Sequence, residues 1–337
     1  MIDQINRNKI TYLNFIMAFF IIWHHTYNVE VYDLQGGLLY WFEKFTVNAF
    51  DVSVSLFFAL SGFLFYQNLS KDNLKKKLLS RIRSLVIPYI IWNILGFIYF
   101  QLLALFPTLR QYYGGEIEPF SISVLLDAII NYKYNLVTWY LRTLIIYTFL
   151  VPLLFPAFKN KNMAKVLFII LILISCYGVS IQNDDLMNIS FYCLGVICGI
   201  HYKDMVLCRY NNKLKITCLC LFVLLIIVNL CMGDSFYGSI YYVFIRLLSF
   251  ICMWVFFDIF AIEAKPKQWM KYSFVMFVSH TMVLEPIEKI IFLLLGNNIV
   301  GAIIDYFVAP LLATLVICYI CYILEKINLY KYLSGGR

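Results

Sequence analysis

The chain is built from apolar runs about as long as a bilayer is thick. A helix needs about 20 predominantly apolar residues to cross the hydrocarbon core. Ten runs reach or approach that length: 10–28, 45–67, 84–106, 136–158, 163–181, 186–202, 214–232, 237–261, 272–294 and 299–324. Hydrophobic residues make up 62% of the 337 and charged residues only 14%. Soluble domains are about half apolar, so the pattern excludes one. Hydrocarbon offers the backbone no hydrogen bonds, which leaves helices or a closed barrel to span it. Runs of this length predict an all-α polytopic membrane protein of about ten transmembrane helices. No internal repeat or soluble appendage interrupts it, so residues 1–337 read as a single domain.

The loops assign the two sides. Arg7 and Lys9 precede the first run, and Lys71, Lys75, Lys76, Lys77, Arg81 and Arg83 lie between the second and third. Further bases follow every second run: Lys159, Lys161 and Lys165; Lys203, Arg209, Lys213 and Lys215; Lys265, Lys267 and Lys271; then Lys326, Lys331 and Arg337. The alternate loops are poor in base or acidic, with Glu30, Asp33 and Glu43, then Glu116 and Glu118, Asp184 and Asp185, and Asp234. The positive-inside rule therefore predicts cytoplasmic termini. It also accounts for the net charge of +8 without nucleic acid. Ten cysteines lie almost wholly within apolar runs, which argues against a disulfide framework. The Cys318–Cys321 pair has no second pair or neighbouring histidine, so no metal is expected. The first run lacks a small-residue cleavage site, so no cleavable signal peptide is expected. Ser121–Asn131 has helical period and is too short to span, which predicts an amphipathic helix along the outer surface.

Ionisable residues inside such runs are costly and mark candidate sites. The first run carries His24 and His25. Asn14 lies eleven residues before His25, close to three helical turns, so the two share a face. His24 points ~100° away, as an orienting partner or an interface residue. Imidazole titrates near physiological pH, so His25 can take a proton from a hydroxyl and return it to a leaving group. His280 is a third histidine within an apolar run, whereas His201 at a helix end reads as structural. Lys75–Pro88 gathers cations that could hold phosphate, or could serve topology and anionic lipid. Arg142 lies near the outer start of the fourth run, where snorkelling is an alternative. Arg246 and Asp258 lie twelve apart in the eighth run and should find partners on other helices.

Taken in order, these landmarks resemble the acyltransferase 3 family, integral membrane proteins that acylate envelope glycans and some secreted metabolites. Tyr12-Leu-Asn…His25 is similar to its first-helix motif, a basic residue followed by histidine. Leu56-Phe-Phe-Ala-Leu-Ser-Gly-Phe-Leu64 is similar to its second-helix FFxxSGFL. Arg81-Ile-Arg-Ser-Leu-Val-Ile-Pro-Tyr89 resembles its arginine-rich third-helix entry. Thr138-Trp-Tyr-Leu-Arg142 and Phe274…His280 resemble its later landmarks. The resemblance implies catalysis by His25 with Asn14 and His24, and contact of acyl-CoA or acceptor with Arg81, Arg83, Arg142, Trp139, Ser61 and His280. Two positions depart: the first-helix cation is Asn14, and Ser80 and Ser84 stand where a second arginine would pair with Arg81 and Arg83. Arg7 or Lys9 would then compensate from the N-terminus.

The implied activity is an O-acyltransferase, acetyl in the first instance, in a bacterial plasma membrane. No cofactor would be bound; acyl-CoA would be the co-substrate and an envelope glycan the acceptor. His25 lies about 22 Å along the helix from its cytoplasmic start, so the acyl group must travel outward. A transporter or export component for a glycan or lipid-linked precursor is the alternative, since a polar intramembrane seam serves a pathway equally well. Oligomeric state stays open.

Overall fold

A computed structural model of the protein describes residues 2–26, 28, 32, 37–106, 118–232 and 240–336. The acidic loop residues Glu30, Asp33, Glu116 and Asp234 lie outside the described residues, as does 107–117 of the long outer loop.

Small polar residues cap the helices where apolar runs begin. The Asp3 carboxylate accepts from the Asn6 amide at 2.6 Å and opens α1 (Gln4–His24). Next come α2 (Leu38–Phe50) and α3 (Val52–Tyr66), separated only by Asp51. A reciprocal Ser70–Asn73 capping box opens α4 (Lys71–Arg81). A π-helical turn, Ile82–Val86, joins α4 to α5 (Ile87–Leu103), with Pro88 in the opening turn of α5. Widening the turn there accommodates a residue without a backbone donor. The expected surface helix is α6 (Ile122–Ile130), capped by Ser121 and packed on α5 through Phe97, Ala128 and Tyr134. The rest are α7 (Trp139–Leu150), α8 (Lys161–Ser180), α9 (Ile189–His201), α10 (Asn212–Met232), α11 (Ile240–Phe256), α12 (Ser273–Leu295) and α13 (Ile299–Lys326).

The described residues form helices and no strand. Among the described residues, seven helical stretches are long and apolar enough to cross a membrane: Leu38–Tyr66, Asp72–Leu103, Leu136–Lys159, Lys161–Ser180, Asn212–Met232, Tyr241–Phe260 and Ile299–Lys326. The protein is therefore a multi-pass, all-helical membrane protein. The other three expected runs became α1, α9 and α12, which fall outside that set. α9 has only 13 residues, α1 carries Arg7 and Lys9, and α12 carries Glu285, Glu288 and Lys289.

In lipid, helices associate through close packing at small residues rather than through the hydrophobic effect. The α3–α9 seam shows this. A Cβ on Gly62 would overlap the Tyr192 carbonyl, and one on Gly195 the Ala59 carbonyl. The Ser-Gly step in the bulky second run is thus where two backbones meet. Tyr66 and Tyr192, both fully buried, extend the contact. At the α2–α3 break, Asp51 accepts from the Tyr242 hydroxyl at 3.0 Å and pairs with Arg246 at 3.4 Å.

Contacts gather the basic loops at one end. Asn6 and Asn8 of α1 donate to the carbonyls of Leu207 and Ile262. Lys271 pairs with Glu325, Trp92 donates to the Leu333 carbonyl, and His201 bonds the Phe158 carbonyl at 2.6 Å. His201 thereby ties the end of α9 to the Phe155–Lys159 turn. Arg246 and Asp258 both find partners on other segments.

Candidate active site

Near the basic end, α1, α3, α4, α7 and the start of α12 enclose a cavity of about 310 Å³. Asn14, Ser61, Arg81, Tyr140, Lys271 and Phe277 line it. Asn14 therefore does face the space in which the sequence pattern would place a cation. Ser61 Oγ and the Tyr140 hydroxyl lie 3.5 Å apart across α3 and α7.

The two cations at the mouth differ. Lys271 sits 2.5 Å from Glu325, whose other oxygen accepts from the Tyr272 hydroxyl at 2.7 Å. Its charge is largely met. Arg81 ends α4 just before the π turn, and its guanidinium lies 5.5 Å from the centre of the Phe65 ring. It has no carboxylate partner among the described residues. Nearby, the Lys77 ammonium donates to the carbonyls of Phe65 and Gln67 and closes the end of α3. A half-buried arginine with donors to spare is suited to a phosphate.

Aromatic rings roof the cavity. Phe277 is 5.2 Å from Tyr140 and 6.2 Å from Phe57, ring to ring. One turn further along α12 stands His280, wholly buried, its ring 6.3 Å from that of Phe277. His25 caps the C-terminus of α1, and its ring lies 4.8 Å from that of His280. His25 is exposed and is not among the residues lining the cavity, whereas His280 behind it is buried.

Hydrogen bonding fixes two of the three histidine tautomers. A carbonyl only accepts, so His280 Nδ1, 2.7 Å from the Phe277 carbonyl, carries the proton. Its Nε2 is then a lone pair, and it has no partner among the described residues. His24 Nδ1 likewise donates to the Val47 carbonyl at 3.3 Å, tying α1 to α2. His24 and His25 are 5.5 Å apart and nearly perpendicular.

The remaining expected residues lie elsewhere. Arg83 is exposed and does not line the cavity. Arg142 pairs with Asp185 at 3.2 Å and lies over the Tyr132 ring; Thr143 and Tyr147 also bond Asp185. That cluster fastens α7 to the 184–187 turn. Trp139 packs 6.3 Å from Phe58, and its neighbour Tyr140 is the one lining the cavity. Arg7 bonds the Ile2 carbonyl and Lys9 is buried against Asp258, so neither supplies the missing cation. Lys271 is the second cation of the cavity, and in sequence it reads only as a topological charge.

A buried polar group beside the end of α1 also went unread in the sequence. Asn28 donates through its side chain to Asp305 at 3.1 Å and through its amide to Glu43 at 3.3 Å; Thr46 bonds Tyr306. Asp305 is a lone acid in an apolar run, and the cost argument that singled out His25 applies to it equally.

Fold and site together give a multi-pass helical membrane protein with a cation-mouthed cavity, beyond whose aromatic roof a buried histidine, His280, meets the exposed His25. Residues 7–325 match the family model described as an acyltransferase domain, and the chain belongs to the acyltransferase 3 family. No curated protein and no solved structure matches it.

Proposed function

We propose that this chain is an O-acyltransferase that takes an acyl group, acetyl in the first instance, from acyl-CoA and delivers it to a hydroxyl of an envelope glycan. In this reading ten helices cross a bacterial plasma membrane, both termini are cytoplasmic, and the basic end faces the cytoplasm. The observation that carries it is Arg81, uncompensated by any described carboxylate, at the mouth of a cavity whose roof adjoins His280, which in turn meets His25 ring to ring.

Donor phosphates would meet Arg81 and Lys271, and the thioester arm would lie along Ser61 and Tyr140. The acyl carbonyl must pass the Phe57–Tyr140–Phe277 rings to reach His25. There the acceptor hydroxyl loses its proton to His25 as its oxygen attacks the thioester carbon. The C–O bond forms, the C–S bond breaks, and the thiolate leaves as the thiol with that proton. His280, with Nε2 as an acceptor, would take the N–H of His25 and leave the other His25 nitrogen for the hydroxyl.

The test is transfer from labelled acetyl-CoA to a panel of envelope glycans by purified protein in proteoliposomes. Acyl mass gained with the native chain and lost with His25→Ala supports the reading, and no transfer to any glycan sinks it. One observation favours a second reading. Asn14 leaves the cavity without its first-helix cation, as an export component for a glycan or lipid-linked precursor would tolerate. Substrate movement across vesicles without acyl-CoA would establish that instead.

A further inference from the structure

A second pocket lies across α3 from the cavity. It holds about 200 Å³ between α3, α9 and α11, and its wall is almost wholly apolar: Phe63, Cys198, Met205, Phe250, Ile251 and Trp254 among others. Leu60 borders both spaces. At its opening Met205 is 60% exposed and Ile251 47%, an apolar threshold of the kind that meets lipid rather than water.

Three cations converge beside this pocket on one carboxylate. Asp258 lies 3.5 Å from Lys9, 3.4 Å from Arg209 and 3.5 Å from Lys215, and also accepts from the Tyr210 amide at 3.1 Å. Lys9 is fully buried, with its ammonium 4.0 Å from the Trp254 ring and 5.6 Å from the Tyr210 ring. Those two residues also line the pocket. One carboxylate neutralises one cation, so the cluster keeps a surplus of positive charge. The acids near it in sequence, Asp3, Asp204 and Glu263, join no ion pair with it among the described residues, although Asp3 shares the Asn6 side-chain amide with the Leu207 carbonyl. Arg209 holds the surplus outward, its side chain 42% exposed.

We infer that this is a binding site for one anionic glycerophospholipid of the leaflet at the basic end. One acyl chain enters the apolar pocket past Met205 and Ile251, and the phosphate rests on Arg209 and Lys215. The charge argues for an anionic rather than a zwitterionic headgroup. A free anion would leave the pocket without a use, and a neutral lipid would leave the cations without one. Because Lys9 belongs to α1, the bound lipid would brace the helix that carries Asn14 and His25.

The experiment is native mass spectrometry and thermal unfolding of detergent-purified full-length protein titrated with phosphatidylglycerol, phosphatidylcholine or inorganic phosphate. Phosphatidylglycerol should be retained one per chain and raise the unfolding temperature; the other two should do neither. Arg209→Gln and Lys215→Gln should each weaken retention about fivefold, the contribution of one basic side chain near an anionic lipid surface. Both cations are partly exposed, and Asp258 keeps Lys9 in each variant. Ile251→Trp at the threshold should weaken retention of the long-chain lipid while leaving the fold intact by unfolding temperature. Equal retention of phosphatidylcholine would overturn the proposal. So would an equal shift with inorganic phosphate, or unchanged retention in Ile251→Trp. None of these readouts depends on catalysis.

Discussion

His25 and His280 face each other ring to ring at 4.8 Å, and only one nitrogen of His280 is already engaged. The free Nε2 is buried, and leaving an acceptor buried and unsatisfied costs about 1–3 kcal/mol. An N–H turned toward it by His25 would relieve that cost and, in the proposed reaction, orient His25 for proton transfer. His25→Ala should lower kcat by about 10²–10⁴, the range for a positioned general base. His280→Gln, which keeps an acceptor near Nε2, should retain more kcat than His280→Leu. The Leu variant should also shift the pH–rate profile with little change in KM.

Arg81 and Arg83 separate cleanly by position. Arg81→Gln should raise KM for acyl-CoA about tenfold to hundredfold, the equivalent of losing one charged hydrogen bond. Arg83→Gln should leave it within about twofold, since an exposed side chain away from the cavity has little to lose. Initial-rate kinetics over a donor titration distinguishes the two, and a reversed order would remove Arg81 from the donor site.

Phe277 stands between the cavity and His280. Phe277→Ala opens the roof, and thioester hydrolysis should rise relative to transfer because water gains the path that the rings exclude. Free thiol release without acceptor measures it; unchanged hydrolysis would mean that the acyl group takes another route.

The Lys9–Asp258 cluster predicts an asymmetry. Asp258→Asn strands a fully buried ammonium and should cost about 3–5 kcal/mol, the range for breaking a buried pair. Lys9→Met leaves Asp258 with Arg209 and Lys215 and should cost clearly less. Denaturant or thermal unfolding in detergent compares them.

Gly195→Ala should lower the unfolding temperature through an overpacking cost of about 1–3 kcal/mol. The added Cβ meets backbone, the Ala59 carbonyl, which cannot swing aside as a side chain would. Ser61→Ala, two residues from Ala59 on α3 but facing the cavity, should change stability little.

Apolar length made the bundle legible: 136–158 and 299–324 correspond to the stretches Leu136–Lys159 and Ile299–Lys326. The surface helix was legible too, from its Ser121 cap and helical period. The run 186–202 is shorter as a helix than its apolar length, because the Asp184–Met187 turn takes up its start and leaves 13 residues for α9. In the site, helical spacing put Asn14 on a face with His25, but only Asn14 lines the cavity, and membrane cost singled out His25 and His280. Their meeting was not legible, since 255 positions separate them in sequence. Lys271 and Tyr140 were missed for a related reason. Each sits in a stretch with an ordinary explanation, loop charge or belt aromatic, and only packing turns them toward one space.

Leu60, on α3, lines both the cavity and the apolar pocket. A molecule that displaces it from either side changes the room left on the other. Occupancy of the two spaces is then thermodynamically linked, and linkage is symmetric. Whatever factor a ligand in one space imposes on affinity in the other is returned to it in full.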